Sequence, residues 1–377
     1  MRLSNLQMTL AVPAMLLAIS GSAMAQLTVI PLPGTQYRYG KISSFSSGGT
    51  AFTGYVISDG PGGDSAPRAF TYSSLTSAML LDSDNYTIGL AVSNDGTDAV
   101  RAVGSISGVG ILPIGSKLGS MVNPAESSTI AFRAIAANDV GQLLVGFDPA
   151  VSQSGGFSRR QRELGTVISL PTVQEAPNPR VTTVSRDGQS MSINYYRQVF
   201  EAPVPALWTA SGGLVELNGR PDAAWAATRQ ISGDGSVVVG FSSIEVEPFL
   251  FETVGGYWAV SNGVPSAFVE VGGFNRIDFV SFDGSVMFGY SDLGESVWTR
   301  TDGLMPLSQY LGRAGVALPS DWQYLEIGAI SPDGRSFAGF GTLADGITDV
   351  AFTISIPSPA AGVLLVFAKL AAFRRRR

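Results

Sequence analysis

A glycine returns through this chain at nearly constant intervals. Gly49, Gly96, Gly141, Gly188, Gly235, Gly284 and Gly334 are separated by 47, 45, 47, 47, 49 and 50 residues. Around the last three the phrase itself repeats: ISGDGSVVVGF at 231–241, VSFDGSVMFGY at 280–290 and ISPDGRSFAGF at 330–340. A second glycine follows five residues later at Gly54, Gly146, Gly240, Gly289 and Gly339, whereas none follows Gly188 at that distance and the strand after Gly96 reaches its glycine only at Gly104. A fixed period of this length is the mark of repeated supersecondary units that cannot bury their apolar faces alone, and it matches four-stranded propeller blades.

The local chemistry of the phrase predicts a hairpin. In ISGDGSVVVGF an Asp-Gly pair joins two β-prone segments, and Gly235 can take the positive φ of a tight turn. Ser232 and Asp234 are placed to hydrogen-bond turn amides. The apolar run after Ser236 suits a strand covered on both faces, and Gly240 suits a close backbone approach or a bulge. The repeated acids Asp95, Asp187, Asp234, Asp283 and Asp333, each followed by Gly96, Gly188, Gly235, Gly284 or Gly334, are therefore read as turn formers. The competing reading, a repeated calcium ligand, needs several oxygens converging within a dozen or so residues, and one Asp per unit does not supply them.

A second element recurs upstream of these turns: RAFTY at 68–72, ALWTASGGLVEL at 206–217, FLFETVGGYWAV at 249–260 and SVWTRTDGLMPL at 296–307. Each reads as an aromatic-bearing strand, a glycine turn and another strand, which brings the unit to four strands. AFTISI at 351–356 is the same first strand with no unit behind it, and it can pair with LTVIPL at 27–32. The expected fold is all-β: a seven-bladed β-propeller of about 47-residue four-stranded repeats, closed by pairing of the N- and C-terminal strands.

Both recurring elements resemble the HAF repeats of extracellular bacterial proteins, in which an Ala-Phe strand alternates with a Ser-x-Asp-Gly hairpin. The resemblance spans residues 40 to 355. The namesake histidine is absent, with Arg68, Pro205, Pro248 and Ser296 in the region before the aromatic. The resemblance implies an exported repeat protein and no particular reaction.

The ends carry separate signals. MRLSNLQMTLAVPAMLLAISGSAMAQ has Arg2 as its one charge, an apolar run from Leu10 to Ile19, and the small residues Ala23 and Ala25 before Gln26. It reads as a signal peptide cleaved between Ala25 and Gln26. The other end, IPSPAAGVLLVFAKLAAFRRRR, joins Pro357 and Pro359 to an apolar segment from Ala360 to Phe373 and then to Arg374, Arg375, Arg376 and Arg377. Arginines beside an apolar segment resist translocation, and Lys369 lies close enough to them to snorkel toward the interface. This tail resembles the PEP-CTERM sorting signal, with Ser358 where that family has Glu. The resemblance implies an exosortase-type processing enzyme as a partner and transient membrane association through a transmembrane helix. An ordinary C-terminal anchor is the alternative. The expected division is thus a signal peptide at 1–25, the propeller at 26–356, and a sorting or membrane segment with a basic tail at 357–377.

Composition removes whole classes of function. The 377 residues include no Cys and no His. Disulfides, Ser-His-Asp and Cys-His catalysis, and zinc sites built from Cys or His are excluded. Processing at both ends would remove Arg2, Lys369 and the four terminal arginines, six of 24 basic residues and none of the 30 acids, leaving a net charge of −12. Such a body is the wrong sign for nucleic acid. The basic cluster SRRQRE at 158–163 is read as a solvated hairpin tip.

Carboxylates outside the turns are the remaining candidates for chemistry. Asp82 and Asp84 in LLDSDNY begin like a calcium loop, but Tyr86 stands where a third oxygen belongs. Glu245 and Glu247 have strand spacing and are expected on one face of an exposed edge; Asp278 is a further acid. No catalytic residue, cofactor or metal is assigned. The expected role is structural or interactive, at the cell envelope, surface or extracellular matrix, with polysaccharide or other surface proteins as partners. The alternatives are a secreted carbohydrate-active enzyme using paired carboxylates and a calcium-stabilised adhesive module.

Overall fold

The computed structural model describes residues 25–32, 37–46, 49–59, 65–74, 78–81, 87–92, 98–103, 112–117, 133–137, 143–147, 157–161, 167–169, 180–197, 202–320, 322–346 and 349–356. Almost every described element is a strand, and the strands pair antiparallel into seven sheets. In chain order the sheets span residues 37–81, 87–117, 133–169, 180–216, 225–270, 274–306 and 322–355. The one helix among the described residues, Leu307–Arg313, follows the sixth sheet and buries Leu307 and Leu311.

Five of the sheets have the expected four strands in line. The second has three, and residues 118–132, which follow them in the chain, lie outside the described residues. The fifth has five, because the long strand Leu250–Ser261 shares its outer edge between Val264–Pro265 and Val269–Glu270. The expectation of seven four-stranded units is corrected accordingly. Each sheet is open, and none curls into a barrel. In the seventh, the order runs from Trp322–Ile330 through Ser336–Leu343 and Asp349–Ser355 to the N-terminal strand Gln26–Pro31. That strand pairs from Gln26 with Ser355 to Pro31 with Val350, so the orphan strand at the C-terminal end finds its partner at the other end of the chain.

The sheets lie face to face, and the apolar core sits between them. Leu207 and Leu217 of the fourth sheet pack with Ile231, Val238 and Trp258 of the fifth. Val239 of the fifth packs with Phe274, Ile277 and Met287 of the sixth. Phe288 and Val297 of the sixth meet Phe337 and Phe352 of the seventh, where the Phe288 and Phe337 rings are 4.7 Å apart. Phe340 of the seventh meets Phe52 and Phe70 of the first. The first strand of each sheet also touches the first strand of the next, and that of the seventh touches that of the first. Sheets repeated radially in this way form a β-propeller.

The second glycine of the repeat is explained by a bulge in each inner strand. The register slips between Thr228 and Gln230, between Ile277 and Phe279, and between Ile327 and Ala329. At each slip an inner-strand carbonyl leans over the neighbouring glycine. A Cβ on Gly289 would lie 2.0 Å from the oxygen of Arg276, and one on Gly240 would lie 2.1 Å from that of Ala227. The crowding is within a sheet, not between sheets. In the fourth sheet the slip comes at the same place, between Val181 and Thr183, with Ile193 where the other sheets have the glycine.

Gly289→Ala is expected to destabilise the protein by about 2 kcal/mol or more, because a backbone carbonyl cannot yield cheaply. Gly303→Ala, at a positive φ of 72° with open space for its Cβ, should cost about 1 kcal/mol. Chemical denaturation of the two variants checks the order.

Candidate functional site

The Ser-x-Asp-Gly turns are built alike wherever they are described. In the fifth sheet, Ser232 Oγ donates to Asp234 Oδ1 at 2.7 Å and accepts the Val237 amide at 2.9 Å. Asp234 Oδ1 also accepts the Ser236 amide at 2.9 Å, and the Gly235 amide closes the turn on the Ser232 carbonyl at 2.9 Å. Gly235 has φ of 73°, which an L-residue adopts only with strain. The same set recurs at Ser185, Asp187 and Gly188, at Ser281, Asp283 and Gly284, and at Ser331, Asp333 and Gly334. All four serines are buried. Burial alone would raise the Asp283 carboxyl, but hydrogen bonds from Ser285 and Ser281 outweigh it and hold the group below its ordinary range.

These turns also join the sheets to one another. The Arg186 amide donates to Gly233 O at 2.8 Å, Asp234 to Phe282 O at 3.0 Å, and Phe282 to Pro332 O at 2.7 Å. The Arg186 guanidinium lies 4.4 Å from the centroid of the Phe282 ring. The turn carboxylates are thus occupied by internal donors at one end of the sheets.

The inner strands carry a second set of charges, beside their bulges. Arg276 Nε lies 2.8 Å from Asp278 Oδ2, and Arg229 Nε of the neighbouring sheet lies 3.5 Å from Asp278 Oδ1. Arg276 sits over the Tyr290 ring at 5.8 Å and Arg229 over the Phe241 ring at 5.3 Å. The Tyr324 hydroxyl donates to Glu326 Oε2 at 3.0 Å. Glu295, paired in register with Tyr290, points into the same region. Its carboxyl is pushed up to about 8, by burial first and then by the negative charges of Asp278 and Glu326, with Arg276 opposing. Tyr55 of the first sheet is raised by burial and by Glu326. Groups from four sheets therefore converge here: the raised carboxyl of Glu295, two further acids, two arginines and three tyrosines.

A groove of about 910 Å³ between the fourth and fifth sheets is lined by Arg197, Glu216, Arg220, Trp225 and Phe268. Its carboxylate is already committed. The Tyr195 hydroxyl donates to Glu216, and Arg197 Nη2 reaches both its oxygens at 2.8 and 3.0 Å. These hydrogen bonds, Tyr195 first, hold Glu216 below the usual carboxylate range. Burial and the bond to Glu216 push Tyr195 up to about 12.

The residues singled out in the sequence divide sharply. Asp187, Asp234, Asp283 and Asp333, with their glycines, sit in the turns; Asp95 and Gly96 lie outside the described residues, as do Asp82 and Asp84. Gln26 begins the N-terminal strand next to Ala25, while Ala23, Pro357, Pro359 and Arg374 to Arg377, with the apolar segment 360–373, lie outside them. Among the described residues no helix is long and apolar enough to cross a membrane. Glu245 and Glu247 do not share a face. The register slips between them, so they stand opposite Phe251 and Leu250, successive residues whose side chains point to opposite faces. Asp278 is brought to Glu295 and Glu326, two acids the sequence reading missed. Aligning the inner strands on the second glycine would have found Glu326, which occupies the place of Arg276 and Lys41 beside the bulge. No three acids among the described residues are grouped to hold a metal ion.

Comparison with the propeller domain of a solved protease agrees on architecture. The β-propeller domain of the Trilobed protease from Pyrococcus furiosus, described as having an open velcro topology, matches with a TM-score of 0.52 at 9% identity, over 85% of this chain and 97% of that one. TolB from Acinetobacter baumannii matches with a TM-score of 0.44 at 9% identity, over 83% of this chain and 65% of that one, so the chain spans about two thirds of that protein. The fold is a β-propeller. At these identities the likeness extends to the fold alone. No protein-family model and no curated protein matches the chain.

Two outcomes follow from the geometry. Ser281→Ala strands the Val286 amide and loosens Asp283, and should cost about 1–3 kcal/mol in denaturant unfolding, whereas the exposed Asp292→Ala should cost under about 0.5 kcal/mol. Glu295 keeps its proton in the folded state from its unfolded pKa up to about 8. Its contribution to stability is therefore complete at low pH and lost as pH rises through that window. Glu295→Gln, which cannot ionise, should melt like the parent protein at pH 5 and at a higher temperature at pH 9.

Proposed function

We propose that this chain is an exported, non-catalytic propeller of seven blades in one ring, acting at the cell surface or in the extracellular matrix through its loops and blade edges. The observation that carries the reading is the commitment of the repeated carboxylates. In every described Ser-x-Asp-Gly turn the Asp accepts hydrogen bonds from its own Ser and from a following amide, which serves architecture and commits these four acids to the turns. The contacts between successive first strands and the pairing of Gln26–Pro31 with Asp349–Ser355 support a ring sealed by its two termini. A closed ring needs no disulfide, which suits a cysteine-free protein sent to an oxidising compartment.

Export rests on the terminal sequences. The Ala23-Met24-Ala25 site before Gln26 supports cleavage by signal peptidase, and Pro357-Ser358-Pro359, the apolar segment and the arginine cluster support removal of the tail by an exosortase-type enzyme. The domain limits 1–25, 26–356 and 357–377 are those such processing would leave.

One observation favours a second reading, a secreted carbohydrate-active enzyme. A carboxyl pushed up to about 8 with Asp278 among its neighbours has the character that the acid of a glycosidase pair requires. Mass spectrometry of the protein recovered from the culture medium, joined to a polysaccharide panel, decides between them. A chain that begins at Gln26, lacks the arginine cluster and releases no sugar is expected. A full-length chain in the cytoplasm overturns the first reading, and turnover that Glu295→Gln abolishes establishes the second.

A further inference from the structure

The fifth sheet does not end where its neighbours do. Its second and third strands, Val237–Glu247 and Leu250–Ser261, run on as a two-stranded ribbon beyond the last inner-strand pair, Trp225 with Ser243. On the outer side, pairing begins only at Gly256 with Glu270. Over residues 244–253 the ribbon therefore has no flanking strand among the described residues, and both backbone edges are open. It projects from the end of the sheets opposite the Ser-x-Asp-Gly turns, because it connects the second strand to the third.

The ribbon presents a mixture that folding alone does not call for. Phe249 is 92% exposed, Leu250 54%, Val246 47% and Phe251 45%. Phe249 holds φ of 67°, a left-handed conformation unfavourable for an aromatic residue, with its amide donating to Glu245 Oε1 at 2.9 Å. Between these apolar groups stand Glu245, Glu247 and Glu252, none of which forms an ion pair among the described residues. The chain contains no Lys or Arg between Arg229 and Arg276, so the ribbon cannot neutralise itself locally.

We propose that this ribbon is a docking element for an extended protein segment that alternates basic with apolar side chains. The open edge of Leu250–Val254 offers main-chain donors and acceptors for an added strand, and the three glutamates select positive charge. Other occupants fit less well. A second copy pairing antiparallel about this edge would set Glu252 against Glu252, and like charges directly opposite are destabilising. An anionic bilayer surface would accept the phenylalanines but repel the glutamates. Sugars would stack on the rings and leave the backbone edge unused.

The proposal rests on the interaction role argued above and names its surface. The test uses the secreted protein and fluorescent peptides of about eight residues, alternating Lys with Val or Phe, beside counterparts with Glu in place of Lys and vesicles of phosphatidylglycerol and phosphatidylethanolamine. The Lys peptide should bind and the Glu peptide should not. Combined Glu245→Lys, Glu247→Lys and Glu252→Lys should weaken the Lys peptide by about tenfold or more and turn the preference to the Glu peptide. Combined Asp222→Lys, Glu270→Lys and Asp292→Lys, which alters charge equally elsewhere, should leave affinity within about twofold. Phe249→Gly relieves the left-handed strain, so it should keep the melting temperature while weakening binding. Binding of the Lys peptide that survives the ribbon reversal overturns the docking site but leaves an interaction role through another surface. Binding to vesicles alone, or to neither peptide, also overturns it. Sugar release abolished by Glu295→Gln overturns the interaction role instead.

Discussion

Every sheet in this protein can bury its apolar faces only against the next sheet. Among the described residues the cores lie in layers between neighbours, as where Phe288 of the sixth sheet meets Phe337 of the seventh. A unit of this kind has no stable existence alone, because both of its faces would stand in water. The consequence is an architecture whose strength is set by how accurately equivalent strands approach one another. The bulge in each inner strand and the glycine beneath it are how that approach is obtained, and the price falls on one residue type: a methyl group at Gly240, Gly289 or Gly339 would strike a carbonyl.

Polar groups follow the same economy. The buried serine of each turn meets a donor and an acceptor at once, and the neighbouring aspartate accepts what remains. An unmade bond at that depth would cost more than the bond contributes, which favours the same Ser-x-Asp-Gly solution in the four described turns that carry it. Because these acids are consumed in shaping corners, their regular recurrence carries no catalytic meaning. The charges beside the bulges differ in kind. Arg229, Arg276, Asp278, Glu295 and Glu326 vary from one sheet to the next and meet only because the inner strands are drawn together.

That distinction explains what could be read from the chain and what could not. The period, the turn, the aromatic strand and the partner of AFTISI are properties of sequences near in the chain or repeated along it, and they were visible. The site formed by Asp278, Glu295 and Glu326 joins three residues that no local pattern links. Asp278 and Glu326 belong to different sheets, and the raised carboxyl of Glu295 arises from burial that only the assembled strands provide. The face shared by Glu245 and Glu247 was expected from simple alternation, and one slip in register between them undid it. The four-strand count also gave way where Leu250–Ser261 outgrew its neighbours and took two short partners.

The outgrowth is informative because the rest of the fold treats strand edges conservatively. The N-terminal strand pairs with the last strand of the seventh sheet from Gln26 to Pro31, so that this edge is supplied by a short strand of six residues. The ribbon at 244–253 does the reverse, carrying an open edge and a fully exposed phenylalanine away from the body. Its glutamates prevent the commonest hazard of such an edge, pairing with a second copy of itself, without closing it to a partner of opposite charge. An edge defended against self-association yet left accessible costs stability in the isolated protein, since Phe249 is held in an unfavourable conformation and its ring gains nothing from burial. In the docking role proposed for the ribbon, contact with the partner offsets that cost, and the sheets hold the ribbon in position.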